Sequence, residues 1–264
     1  MLPHKQFNLQ PPSLPTNEDI IYARSIQAML APTNEDLREL FQDLAVYDKP
    51  RGYLSGDFLF ARKKNDLTYL AVCDCTGHGM SAALMTVLSR EKLSHAFEKS
   101  IGPAHLLTRL DEKFRESILR GDKGKLMSVG AGMDLAVIAF DHERKSLRFA
   151  GARRPLWIVR NGELIEFKGT PRSIGGNYWK DETFIETTIP VNPDDLVYIF
   201  TDGLSDQFGG IKNKKLMVSG LRKLILEASF LPIEDQNAFI SYRMHSWQGG
   251  YESTDDQMLA IVKI

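Results

Sequence analysis

Four places in the chain set an acid at the end of an apolar run or inside a turn. They are Asp57 in Ser55-Gly56-Asp57-Phe58, Asp74 closing Tyr69-Leu70-Ala71-Val72-Cys73-Asp74, Asp202 in Thr201-Asp202-Gly203, and the pair Asp255-Asp256. Singly, each has a plain structural explanation, because Asp-Gly is common turn chemistry and an acid before a strand is usually solvated. Together they suggest a site. Strand-end acids in a layered fold tend to gather at one edge, where carboxylates repel and rise in pKa unless a cation neutralises them. Oxygen donors of this kind select Mg²⁺ or Mn²⁺ over zinc. Two such ions bridged by one carboxylate can hold a water, lower its pKa and aim it at a phosphorus, so no protein nucleophile is required. None stands out: the chain has no G-x-x-x-x-G-K-[ST] loop and no Gly-x-Ser-x-Gly elbow.

Cys73 and Cys75 lie two apart on an expected strand, so they share a face and cannot bridge each other; they read as small buried hydrophobes. A zinc site from Cys73, Cys75 and His78 is rejected, because no C-x-x-C pair completes it.

The elements that must position these acids follow from pattern. The apolar run into Asp74 reads as a buried strand. A turn on Gly77 and Gly79 follows, and then a helical spacing from Ala82 to Phe97 and another from Pro103 to Leu119. Arg120 to Lys125 reads as a polar loop. Leu44–Tyr47, Leu135–Phe140, Leu147–Phe149, Leu156–Val159 and Phe184–Ile189 read as strands, and Asn161-Gly162 is a strong hairpin signal. Asp195 to Gly203 repeats the theme of a buried strand ending in an acid and a glycine. Two helices are expected over 213–247 and a closing strand over Gln257–Ile264. Near the start, Pro-Thr-Asn-Glu-Asp occurs at 15–19 and again at 32–36, each copy a helix start with Thr as N-cap. The first of these helices carries Ile20, Ile21, Ala23, Ile26, Met29 and Leu30 on a broad apolar side, read mainly as core and secondarily as a subunit contact.

Hairpins among the strands imply antiparallel pairing and argue against a doubly wound parallel sheet. The expected fold class is α+β, with two mainly antiparallel sheets and helices stacked outside. Residues 1–15, bearing Pro3, Pro11, Pro12 and Pro15, read as a flexible N-terminal arm, and 16–264 as one domain. A 43% apolar content supports a sizeable core, while a formal charge of -1 argues against nucleic acid or anionic membrane as a partner. No apolar run reaches membrane-span length and the N-terminus is no signal peptide, so a cytoplasmic protein is expected.

The four acid motifs, Ser55-Gly56-Asp57-Phe58, Asp74-Cys75-Thr76-Gly77-His78-Gly79, Thr201-Asp202-Gly203 and Asp255-Asp256, together resemble the motif set of the PPM (PP2C-type) serine/threonine phosphatases, in the bacterial SpoIIE/RsbU branch. The resemblance runs from about Ala23 to Ile264. It takes in Ile26-Gln27, Ala150-Gly151-Ala152 with Pro155-Leu156, and Asp206-Gln207-Phe208-Gly209-Gly210. It implies a four-layer αββα sandwich with a binuclear Mn²⁺ or Mg²⁺ centre at one end of the paired sheets. By that resemblance Asp74 bridges both metals, Cys75 offers its backbone carbonyl, Asp202 and Asp255 are further ligands, and Asp57 approaches one metal directly or through water. Asp256 is the neighbour whose register can be confused with Asp255.

His78 has two readings: the acid that protonates the leaving oxygen, or a residue that orients the turn. Eukaryotic-type members space Asp and His two apart, whereas Asp74 and His78 are four apart. The arginine by which those members hold the substrate phosphate has no match; Lys49, Arg51, Arg153 and Arg154 are basic near relevant turns and nothing singles one out. The implied substrate is phosphoserine or phosphothreonine on a small regulatory protein, typically an anti-sigma-factor antagonist of the STAS type. The N-terminal helix is where a sensor's signal or a homodimer contact would enter. Two rivals stand beside this reading. One is a haloacid dehalogenase-type phosphatase with Asp74 as covalent nucleophile; the other is a non-catalytic phosphoprotein-binding module.

Overall fold

The computed structural model describes residues 16–77, 79–120, 132–141, 143–176 and 183–264. The expected arm at 1–15, His78 and the loop positions 121–125 lie outside the described residues. Two helices open the chain, α1 (Asn17–Leu30) and α2 (Asn34–Leu40). The two copies of Pro-Thr-Asn-Glu-Asp form their N-termini: Thr16 accepts from the Asp19 N–H while Asp19 accepts from the Thr16 N–H, and Thr33 and Asp36 do the same. Each is a complete capping box, which satisfies donors that a bare helix end leaves open.

Strands β1 (Leu44–Lys49), β2 (Asp57–Lys64) and β3 (Leu67–Cys75) come next, followed by helices α3 (Met80–Glu98) and α4 (Pro103–Arg120). Pro103 opens α4, a position where its missing N–H is no loss. Then come β4 (Met133–Asp141), β5 (Ser146–Ala152), β6 (Leu156–Arg160), β7 (Glu163–Phe167), β8 (Thr187–Pro190) and β9 (Leu196–Phe200). Asn161 and Gly162 join β6 to β7 with φ of 52° and 79°, as a two-residue hairpin loop requires. The short α5 (Gly203–Asp206) and a two-residue ribbon, β10 (Phe208–Gly209) with β11 (Lys214–Lys215), precede α6 (Met217–Ala228), α7 (Ile233–Gln248) and β12 (Gln257–Lys263).

All strand pairs are antiparallel, in a first sheet ordered β1-β12-β9-β6-β7 and a second ordered β2-β3-β4-β5-β8. The period-2 alternation divides each strand between two cores. On β3, Tyr69, Ala71, Cys73 and Cys75 face α3 and α4 with Phe97, Leu106 and Leu110. Leu70 and Val72 face the other sheet, where Ile158, Val197, Ile199 and Ala260 meet them. Across the first sheet, Trp157, Tyr198 and Leu259 pack under Leu221, Ile225, Ile240 and Met244 of α6 and α7. The four layers are therefore helices, sheet, sheet, helices, as expected.

Two expectations shift. The region Phe184–Ile189 yields a strand only over Thr187–Pro190. The apolar side of α1 is not core: the helix buries no residue, and Ile21 and Met29 are 57% and 82% exposed. Helical spacing reports which residues share a face; it does not report whether anything covers that face.

Candidate active site

Alternation also places the acids. Leu59, Val72 and Ala136 point between the sheets, so Asp57, Asp74 and Asp134, each two residues nearer one end of its strand, project on that same side. Strand register sets Asp57 directly opposite Asp74, and Asp74 directly opposite Asp134. Three carboxylates thus stand in a row across β2, β3 and β4. Asp134 was not among the sequence candidates. The expected strand starts at Leu135, and the signal that extends it is an acid in step with Ala136 and Ile138.

The first sheet supplies the facing acids from its strand ends. Thr201, just past β9, donates its hydroxyl to Asp57 Oδ2 at 2.7 Å and accepts from the Met258 N–H at 3.0 Å, which ties the two sheets together beside the acids. Asp202 follows, at the start of α5. A Cβ on Gly203 would collide with the Asp256 carbonyl oxygen, so only glycine lets this turn close onto the start of β12. Asp255 Oδ1 accepts from the Asp256 N–H at 2.9 Å.

Asp256 does different work from its neighbour. Its two oxygens accept from the Arg51 and Gly56 N–H groups, both at 2.7 Å, and it is 3% exposed. The sequence reading placed it among the metal candidates. In the structure its carboxylate fastens the β1–β2 connection. That connection also receives α1, because the Gln27 side chain bonds both the Ser55 carbonyl and the Ser55 N–H and reaches Thr86 on α3. Gly56 permits the fastening, since a Cβ there would press on the Cys75 carbonyl oxygen at 3.1 Å. The Cys75 thiol points away from the acids, toward Ser89 on α3, and burial pushes its pKa up to about 12.

Among the acids stands Arg154. Its Nη2 lies 2.9 Å from Asp74 Oδ2, 3.1 Å from Asp134 Oδ2 and 2.5 Å from Asp202 Oδ2. The backbone holds it there: a Cβ on either Gly151 or Gly169 would collide with the Arg154 carbonyl oxygen. Of the four basic residues left open by the sequence, this is the one at the centre. Arg153, in the left-handed region at φ 61°, reaches Asp134 at 3.5 Å from the rim.

The electrostatics follow from crowding. Burial raises the Asp57 carboxyl well above its ordinary value, Asp74 adds to the rise, and the Thr201 hydrogen bond opposes it. Burial likewise raises Asp74 well above its ordinary value; Arg154 opposes the rise, while Asp202 and Asp134 add to it. Asp134 and Asp255 are raised as well, each chiefly by burial. Among the described residues no three His, Cys, Asp or Glu side chains already stand as a metal cage; Arg154 engages three of the carboxylates instead. As a donor set, buried carboxylates that raise one another's pKa fit a hard divalent cation, whose binding would relieve the repulsion.

Solved structures agree with this architecture. The SiaA-PP2C domain of Pseudomonas aeruginosa superposes with a TM-score of 0.83 at 29% identity, covering 94% of this chain and 96% of that one. The PP2C phosphatase domain with a regulatory fragment of SpoIIE from Bacillus subtilis matches with a TM-score of 0.66 at 14% identity, over 84% of this chain and 62% of that one. The RsbU and RsbW domains of a Mycobacterium tuberculosis protein give 0.66 at 17% identity, over 84% and 59%. A search of curated protein sequences returned no significant match. Fold and comparisons define a PPM (PP2C-type) protein serine/threonine phosphatase, a phosphoric monoester hydrolase. The family model described as Stage II sporulation protein E (SpoIIE) matches residues 64–264, and the chain belongs to that family. An antiparallel sandwich leaves no βαβ frame for the dehalogenase alternative.

Proposed function

We propose that the chain dephosphorylates phosphoserine or phosphothreonine on a small regulatory protein, of the STAS-type anti-sigma-factor antagonist class, using two divalent cations, Mn²⁺ or Mg²⁺, held at the acid end of the sandwich. The observation that carries this is the row Asp57–Asp74–Asp134 facing Asp202 across the sheets, with Arg154 between. Asp74, at the middle of the row, would hold the cations together with Asp202, Asp255 and the Cys75 carbonyl, with Asp57 on one flank. Asp134 joins them as a ligand or as a partner of water. Asp256 supports the centre by clamping the loop that carries Asp57.

When bound, the cations supply charge that offsets the phosphoryl oxygens and make a water acidic enough to attack phosphorus near neutral pH. The residues of the chain do the rest. Thr201 fixes the Asp57 carboxylate, and Gly56 and Gly203 let the two sheet ends approach. His78, outside the described residues, is the candidate acid for the leaving oxygen. The exposed side of α1, with Ile21 and Met29, supports a contact with a second copy or a sensor segment, and its Gln27 link to Ser55 joins that contact to the acid end. Among the described residues no helix is long and apolar enough to cross a membrane, in keeping with a cytoplasmic role.

The test is hydrolysis of an aryl phosphate by metal-stripped protein with Mn²⁺, Mg²⁺ or Zn²⁺ added back. Turnover with Mn²⁺ should fall by more than the roughly 10–100-fold typical of outer-shell changes in Asp74→Asn and Asp202→Asn, with the circular dichroism unchanged. Near-normal rates in both variants would falsify the two-metal reading.

A further inference from the structure

We infer that Arg154 is an intramolecular counter-cation of this centre, which divalent ions must displace before they can load. The inference rests on the acid end being a cation site, as proposed above, and adds that the chain carries its own competitor for those acids.

The geometry distinguishes this arginine from an ordinary ion pair. A guanidinium carries five N–H donors in a planar fork suited to meeting a carboxylate two-on-two. Arg154 does not use the fork. One nitrogen, Nη2, meets three carboxylates from three different elements, and with only two hydrogens it cannot give each a full hydrogen bond. The buried Nε finds no partner among the described residues. The side chain therefore behaves as a point charge set where several acids converge, as a bound metal ion would. Its position is built in, because Gly151 and Gly169 make room for its main chain at the crossing from β5 to β6. Its tip is less fixed: it sits on a long side chain, and Asp202, its nearest partner, is 42% exposed.

Two consequences follow. Without metal, one internal positive charge offsets part of the repulsion among Asp74, Asp134 and Asp202. Metal affinity is set lower than the acids alone would give, because each ion competes with a tethered guanidinium. Loading then becomes sensitive to anything that moves the β5–β6 crossing.

Calorimetric titration of the metal-stripped protein with Mn²⁺ tests this, at mildly alkaline pH so that protons do not replace the guanidinium as competitor. Arg154→Met should bind Mn²⁺ about 10- to 100-fold more tightly than the parent, the loss of charge-assisted hydrogen bonds expressed as affinity. Its metal-free form should melt at a lower temperature, and Mn²⁺ should raise that temperature by more than in the parent. Adding free guanidinium at low millimolar concentration should return the affinity of Arg154→Ala toward the parent value. Arg154→Lys, which keeps the charge on a differently shaped head, should fall between and carries the test should the uncharged variants not fold. Equal or weaker Mn²⁺ binding in all the folded variants would overturn the inference while leaving the metal centre standing. Absence of Mn²⁺ binding in parent and variants alike would overturn the metal centre itself.

Discussion

Strand β6 has an arginine near each end, and the two do opposite things. Arg160, its last residue, presents two nitrogens to the two oxygens of Asp195, at 2.9 and 2.6 Å, and Asp195 also accepts from the Asn192 N–H. That pair is matched one to one, with Asp195 only 1% exposed. Arg154, two residues before the strand, shares one nitrogen among three acids, and its Nε has no partner among the described residues. The same residue type is therefore a finished tie at one end of the strand and an overdrawn charge just beyond the other. A matched buried pair is what structure needs; an excess of carboxylate over cation is what a cation site needs.

That contrast can be broken experimentally, beginning with the closed end. Asp195→Asn removes the charge that answers Arg160 and disturbs the Asn192 turn. It should lower the unfolding free energy in urea by about 2–4 kcal/mol, between the values for exposed and fully buried pairs. Mn²⁺-dependent turnover of the folded fraction should stay unchanged. A loss within error of zero would mean that the matched end holds nothing together. Next in size is Thr201→Val, which deletes the donor to Asp57 and the inter-sheet bridge. It should cost about 1–3 kcal/mol, the penalty of an unsatisfied buried group, and the loss should shrink when Mn²⁺ is present. An equal loss with and without Mn²⁺ would detach Asp57 from the cation site.

The finest test concerns a sign. Burial and mutual repulsion raise Asp57 and Asp74 in the folded state. Raised acids favour folding only while protonated: their contribution is full below the ordinary carboxylate pKa and is lost as pH climbs through the raised values. The metal-free protein should therefore lose stability as pH rises from about 4 toward neutrality, and saturating Mn²⁺ should flatten the slope. A stability that rises over that range would show the opposite shift.

Much of this molecule was legible before its structure. The strand into Asp74, the helix after Gly79, the Asn161-Gly162 hairpin and the two capped helices all rest on signals a few residues long. Four acid motifs in order were enough for the phosphatase resemblance and the αββα fold. What failed to show was relational. The apolar side of α1 has the spacing of core, but among the described residues Ile21 and Met29 lie exposed on it. Asp134 is in step with Ala136 along the chain, but only strand register sets it opposite Asp74. Asp255 and Asp256 were indistinguishable neighbours until the N–H groups of Arg51 and Gly56 were found on one of them. Arg154 was one of four bases near turns.

The sequence by itself determined which stretches alternate, where they stop, and that acids stand at the stops, because periodicity, capping and turn chemistry act between residues close along the chain. Tertiary structure decided which acids face one another and what stands among them. Arg154 meets Asp74 across 80 residues and Gly56 meets Asp256 across 200. Contacts over such separations depend on strand register and on where each crossing brings the chain back. Those are set by the packing of both sheets at once, and no single stretch carries them.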